Sequence, residues 1–179
     1  LSEGNEYKLV LPHVDIPGKD LQAVIERLVD IKGKFVLFNM SAGVGTRYLK
    51  LEKWIELTDS ISSDMNVVLT GQEKDYESIN FVIESVKRKK IFFVKTHTIF
   101  EFAELIRGCD LLVTPDTSAV HLASCFNTPV IGMYHNVRWN IIKFGPLSGK
   151  HKIIVSADEN SLESITSKEL IAAVNELLT

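Results

Sequence analysis

Leu111-Leu112-Val113-Thr114-Pro115-Asp116-Thr117-Ser118-Ala119-Val120-His121-Leu122-Ala123 reads as a strand, a polar turn and a helix start in quick succession. Leu111 to Thr114 is a short apolar run, as expected of a strand buried on both faces of a parallel sheet. Pro115 has no N–H to give a ladder, so the strand is expected to stop there. Asp116, Thr117 and Ser118 are all good helix caps, and Val120 to Phe126 is a mostly apolar helix. A helix mouth at the carboxyl end of a strand is a ready anion site, because its free N–H groups and its dipole both favour negative charge. If the helix starts near Thr117, His121 lies one turn on, along the face of Thr117 and Ser118. Two readings stand on residue type alone: a phosphate-sized site with an imidazole as second donor, or a capping turn with a packed histidine.

Working outward, the same alternation recurs. Leu1 to Glu6 is a polar linker end, and Tyr7 to Leu11 a short edge strand stopped by Pro12. Leu21, Val24, Ile25, Leu28 and Val29 recur at helical spacing over Asp20 to Ile31, with Gly33 as the stop. Strands are expected at Phe35–Phe38, Val67–Leu69, Ile91–Val94, Val130–Met133 and Lys152–Val155. Helices are expected at Leu51–Ile61, Lys74–Val86, Phe100–Ile106 and Lys168–Leu178. Short apolar strands alternating with helices predict an α/β, doubly wound, mostly parallel sheet of Rossmann-like type. Ligands of such sheets bind outside the carboxyl ends of the strands, near the point where strand order reverses.

Composition excludes several classes. A chain of 179 residues, 45% hydrophobic, with a net charge of −3, is long enough for one substantial core. No basic stripe with interleaved aromatics suggests a nucleic-acid partner. Cys109 and Cys125 sit in apolar or helical contexts and read as buried thiols, not a disulfide framework. No apolar run approaches a membrane span, and no signal-peptide pattern opens the sequence. Asp116, His121 and His135 lack the spacing of a metal site. Ser118 and His121 lack the glycine elbow of a serine nucleophile.

The loops at the expected strand ends carry the remaining chemistry. In Asn39-Met40-Ser41-Ala42-Gly43-Val44-Gly45-Thr46-Arg47, small residues allow close backbone approach and Arg47 offers a permanent, bidentate charge. A solvated arginine on a flexible loop is the competing reading. Thr70-Gly71-Gln72-Glu73-Lys74-Asp75 follows the second expected strand, and on residue type Glu73 and Asp75 are ordinary first-turn helix acids. Lys95-Thr96-His97-Thr98 precedes a short helix, with Thr98 as its cap and His97 read as a surface side chain.

Asp116-Thr117-x-x-x-His121-Leu122-Ala123, followed by Pro129-Val130-Ile131-Gly132, resembles the C-terminal half of family 9 glycosyltransferases. These are the heptosyltransferases of lipopolysaccharide core assembly, whose usual pattern is Asp-Thr/Ser-Gly-x-x-His-Leu-Ala. Ser118 stands in place of the usual glycine. Ser41, Ala42 and Gly43 match the family's small-residue loop, and Arg47 falls where a lysine or arginine is usual. Tyr48-Leu49-Lys50 departs from the common Trp-Pro ending, and Tyr134 to Trp139 departs from Phe-Gly-Pro-Thr. Phe144-Gly145-Pro146 matches the aromatic-Gly-Pro turn.

The resemblance implies the nucleotide-sugar half of a GT-B glycosyltransferase, with residues 1–6 a linker end and 7–179 the Rossmann-like domain. It implies a donor of ADP-sugar type, most simply ADP-heptose, transferred with inversion to a lipopolysaccharide core acceptor. Substrate-binding residues would be Ser41, Ala42, Gly43, Thr46, Arg47, Glu73, Asp75, Asp116, Thr117, Ser118, Ala119 and His121. Arg47 and the N–H groups of Thr117 to Ala119 would stabilise the departing diphosphate, with no cofactor and no metal. The general base and the acceptor site would belong to an N-terminal domain outside this chain, leaving the chain alone catalytically incomplete. A cytoplasmic location follows by the same analogy, with the full-length protein held peripherally at the inner face of the inner membrane. The alternative is a non-catalytic nucleotide-binding or protein-interaction module on the same fold.

Overall fold

The computed structural model describes residues 13–28 and 31–179. The expected linker end at residues 1–6 and the edge strand Tyr7–Leu11 lie outside the described residues, as does Val29. The described elements are α1 Gly18–Leu28, β1 Phe35–Asn39, α2 Leu51–Ser60, β2 Asn66–Thr70, α3 Tyr76–Ser85, β3 Ile91–Phe93, α4 Ile99–Gly108, β4 Leu111–Pro115, α5 Ser118–Phe126, β5 Val130–Tyr134, α6 Arg138–Phe144, β6 His151–Val155 and α7 Ser167–Leu178.

The strands form one six-stranded sheet in the order β3-β2-β1-β4-β5-β6, and every neighbouring pair is parallel. Strand order reverses between β1 and β4, which is where a crevice opens at the carboxyl edge. Alternate side chains divide the core in two. Val36, Phe38, Val67, Leu69, Leu111, Val113, Ile131 and Met133 face Trp54 and Leu57 of α2, Ile79 and Val82 of α3, and Leu170 and Val174 of α7. Phe35, Leu37, Val68, Leu112 and Val130 face Val24 of α1, Leu105 and Ile106 of α4, and Ala119 and Ala123 of α5. This period of two explains why the strands read as unbroken apolar runs: both faces are covered. Each fully buried large side chain contributes about 1.5–3 kcal/mol.

Local chemistry sets the helix ends. Thr98 and Thr117 each accept a first-turn N–H at the starts of α4 and α5. Thr166 and Glu169 form a reciprocal capping box at α7. Asn127 closes α5 in the left-handed region with φ 55°.

Three expectations are corrected. Pro115 is the last residue of β4, paired with Met133, and does not end the strand before it. Leu112 and Asp116 donate toward β5, so the missing N–H of Pro115 faces β1, whose pairing already stops at Phe38 opposite Val113. Second, α3 starts at Tyr76; Glu73–Asp75 is a separate 3-10 turn. Third, α6 was not foreseen. Its exposed Trp139 and Ile142 and its one buried residue, Asn140, give no apolar stripe for a sequence reading to find.

Candidate functional site

The carboxyl ends of β1, β2 and β4 surround a cleft of about 550 Å³. Its lining comes from Asn39, Ser41, Ala42, Gly43 and Arg47 after β1, and from Asp116, Thr117 and Ser118 after β4. Thr70, Gly71 and Gln72 after β2 add to it, as do Thr96, His97, Thr98, Ile99 and Phe102 leading into α4.

Asn39 joins the two central strand ends. Its amide donates to Thr114 Oγ1 at 2.9 Å and to Thr117 Oγ1 at 3.4 Å, while its carbonyl oxygen accepts from Ser41 N–H at 3.3 Å. Thr117 in turn caps α5 by accepting from Ala119 N–H at 3.3 Å, and its carbonyl takes Val120 N–H at 3.2 Å. Ser118, the first residue of α5, therefore stands at the helix mouth on the cleft wall.

Arg47 reaches the same wall from the β1 side. Its Nη1 donates to the Asp116 carbonyl at 2.8 Å, and its Nη2 lies 3.3 Å from Asp116 Oδ2. Asp116 is buried, while the Arg47 side chain keeps 33% of its surface exposed. So Asp116 is not the cap that its sequence position suggests. Thr117 fills that role, and the Asp116 carboxylate anchors the arginine and accepts from Asn140 Nδ2 at 2.7 Å. The charge of Asp116 also touches Tyr134: burial pushes that phenol well above its ordinary range, and the nearby carboxylate adds to the rise.

The β2 loop clamps the β1 loop. Ser41 Oγ donates to the Asp75 carboxylate and accepts from Gln72 N–H at 2.6 Å. Tyr48 donates to Asp75 Oδ1 at 2.7 Å, and Lys74 Nζ donates to the Ala42 carbonyl at 3.1 Å. The fit at Gly71 is close: an added Cβ would sit 2.8 Å from Ser41 Oγ and 2.9 Å from Ile79 Cδ1, so one of these side chains would have to shift.

Of the residues singled out by sequence, Ser41, Ala42, Gly43, Arg47, Asp116, Thr117 and Ser118 line one cleft. Thr46, Glu73, Asp75, Ala119 and His121 do not line it. Thr46 is exposed and its carbonyl accepts from His135 Nε2 at 2.8 Å. Glu73 is exposed on the 3-10 turn, and Asp75 is buried beneath Ser41 and Tyr48 instead of facing a ligand. Ala119 is fully buried and its N–H is already held by Thr117. The His121 ring is exposed and meets Phe144 edge-on at 6.1 Å, because α5 turns that face toward the end of α6. His97, read as surface, is exposed yet lies on the cleft wall.

Sequence reasoning passed over Asn39, Ile99, Phe102 and Asn140. Asn39 carried a usable signal, a polar residue closing an apolar strand. Asn140 carried none. Among the described residues, no group of three or more His, Cys, Asp or Glu side chains comes together as metal ligands would.

The sequence profile of glycosyltransferase family 9 (heptosyltransferase) matches residues 13–172. The chain belongs to this family. A curated relative from Haemophilus influenzae, provisionally named a glycosyltransferase, is 29% identical over 151 residues, which is 80% of this chain and 43% of the relative. A family 9 glycosyltransferase from Veillonella parvula matches with a TM-score of 0.80 at 18% identity, over 93% of this family 9 chain and 53% of that one. The Escherichia coli ADP-heptose lipopolysaccharide heptosyltransferase II matches with a TM-score of 0.79 at 22% identity, over 96% and 54%. An E. coli heptosyltransferase solved with ADP gives 0.70 at 18% identity, over 88% and 48%. This family 9 chain thus spans about half the length of these relatives, and the structural likenesses show the Rossmann-like fold of GT-B heptosyltransferases.

Proposed function

We propose that this chain is the donor-binding domain of an inverting glycosyltransferase and that its cleft holds a nucleoside diphosphate sugar, with ADP-heptose the favoured donor. One observation carries the reading. At the reversal of strand order, Arg47 and the mouth of α5 line the same cleft as Ile99 and Phe102. A diphosphate suits the first pair, because a helix N-terminus and an arginine both favour anionic oxygens. A nucleoside suits the second pair, which supplies apolar contact. Family membership supports sugar transfer, and the E. coli relatives named for ADP-heptose or solved with ADP support the base and the sugar.

The chemistry follows from where charge grows. As an acceptor hydroxyl attacks the anomeric carbon, the glycosidic C–O bond to the diphosphate breaks and negative charge collects on the leaving oxygens. Arg47 and the Ser118 amide, fixed before reaction, would stabilise that charge more than they stabilise the intact donor. Ser41, Ala42 and Gly43 would let the phosphates approach the β1 loop, while Asp116 holds Arg47 in place. A lipopolysaccharide core acceptor belongs to the same proposal, as does peripheral association of a full-length protein with the inner membrane. Among the described residues, no helix is long and apolar enough to cross a membrane.

A thermal-melting panel of nucleoside diphosphates and nucleotide sugars tests the reading. A ligand at a hundred times its Kd stabilises the fold by about 2.7 kcal/mol, which a melting curve resolves easily. ADP and ADP-heptose should raise Tm, and other bases should raise it less. No shift with any nucleoside diphosphate at millimolar concentration sinks the proposal.

A further inference from the structure

The one buried residue of α6 is an asparagine, while its neighbours Trp139 and Ile142 are 64% and 75% exposed. Ile141 and Phe144 are half-buried, so the side chain that α6 seats most deeply is a polar amide. The amide has a specific target: Asn140 Nδ2 donates to Asp116 Oδ2 at 2.7 Å, in a buried contact. An ionised carboxylate only accepts, so the orientation of this amide is fixed by chemistry. The same Oδ2 also faces Arg47 Nη2 at 3.3 Å, and the Asp116 backbone carbonyl holds Arg47 Nη1 at 2.8 Å.

From this chain of contacts we infer that Asn140 is a positioning residue for the donor diphosphate, acting through Asp116 on Arg47. The inference rests on the donor-site reading above. By occupying one face of Oδ2, Asn140 limits how far the carboxylate can turn toward the guanidinium. Arg47 is then held by a backbone carbonyl and one shared carboxylate oxygen, and its further N–H groups stay available to an anion in the cleft. Without Asn140, Asp116 is free to turn both oxygens onto Arg47. A bidentate pair of that kind competes directly with phosphate for the same donors.

The test is a double-mutant cycle on this chain, with ADP and phosphate-free adenosine as probes in calorimetry. Asn140→Ala should weaken ADP binding tenfold or more and leave adenosine within twofold of the parent. Added to Arg47→Ala, it should cost ADP binding no more than a further twofold, because its effect runs through that arginine. Equal losses for ADP and adenosine, or fully additive losses, overturn the assignment. Asn140→Ser, which keeps a shorter donor, is the second variant and should fall between parent and alanine for ADP. If neither variant folds, Asn140 is a structural support and the assignment fails. If the parent binds no ADP, or Arg47→Ala binds it unchanged, the donor-site reading itself falls and takes this inference with it. A parent that binds ADP, weakened by Arg47→Ala but untouched by Asn140→Ala, overturns this inference alone.

Discussion

Arg47 and Gly71 separate binding from folding at the level of single residues. Arg47 has a third of its side chain exposed and lies on the cleft wall, so its removal takes little apolar packing, but it leaves the buried Asp116 carboxylate one partner short. Arg47→Ala should weaken ADP binding by about 1.5–3 kcal/mol, the range for losing a charged hydrogen bond, and should lower Tm modestly as well. Calorimetry with ADP and a melting curve without it check both halves. Gly71→Ala should do the reverse in emphasis. Its new methyl would press on Ser41 Oγ and Ile79 Cδ1, within 2.9 Å of each, and overpacking of this kind costs about 1–3 kcal/mol. Urea denaturation should show that loss, and a parent-like midpoint would mean that the β2 turn yields freely. Legibility divides along the same line. Arg47 was legible only through the family resemblance, because on residue type alone a solvated arginine on a flexible loop reads equally well. The structure puts it on the cleft wall. Asp75 was misplaced because an acid in a first helical turn looks alike whether it faces a ligand or, as here, buries itself under Ser41 and Tyr48.

Strands and most helices were legible because burial on both faces leaves an unbroken apolar signature, and stripes such as Trp54 and Leu57 repeat at helical spacing. What the sequence could not show is how elements distant in the chain clasp the cleft walls. Glu101 of α4 is one such case. Its carboxylate accepts from Arg27 Nη1 of α1 at 2.5 Å and from His97 N–H at 2.7 Å, and Arg27 also donates to the Lys95 carbonyl at 3.0 Å. This clasp fixes the segment leading into α4, which lines the cleft. The Arg27 hydrogen bond holds the Glu101 carboxyl below its ordinary range. Because the folded value is the lower one, the contribution to stability is fully present above the unfolded pKa. It is lost as pH falls from the ordinary glutamate range through the depressed folded value. At neutral pH, Glu101→Gln should be less stable than the parent by about 1.5–3 kcal/mol. That gap should narrow on acidification, through pH 4 and below. Urea titrations of both chains across that span check it, and a gap constant with pH would show that packing and not charge links α1 to α4.

At the scale of the molecule, the question is what a domain of this design can do unaided. Transfer by inversion needs a base within reach of the acceptor hydroxyl. Among the described residues, Asp116 is the only carboxylate on the cleft wall, and it is buried and engaged by Arg47 and Asn140. Asp75 lies beneath the wall, engaged by Ser41 and Tyr48. Both carboxylates are thus buried and already committed to contacts within the domain. Among the described residues, His97 is the one imidazole that lines the cleft, exposed on the segment before α4. This chain also spans about half the length of these relatives. The expected outcome is therefore binding without transfer. Incubated with ADP-heptose and a lipopolysaccharide core acceptor, this chain should retain the donor and release no ADP above the rate of spontaneous hydrolysis. Turnover on the order of 1 per second, typical of a complete enzyme, would place the base inside this domain. His97→Ala would then be the decisive variant: loss of that turnover with ADP binding intact would identify the imidazole as the base.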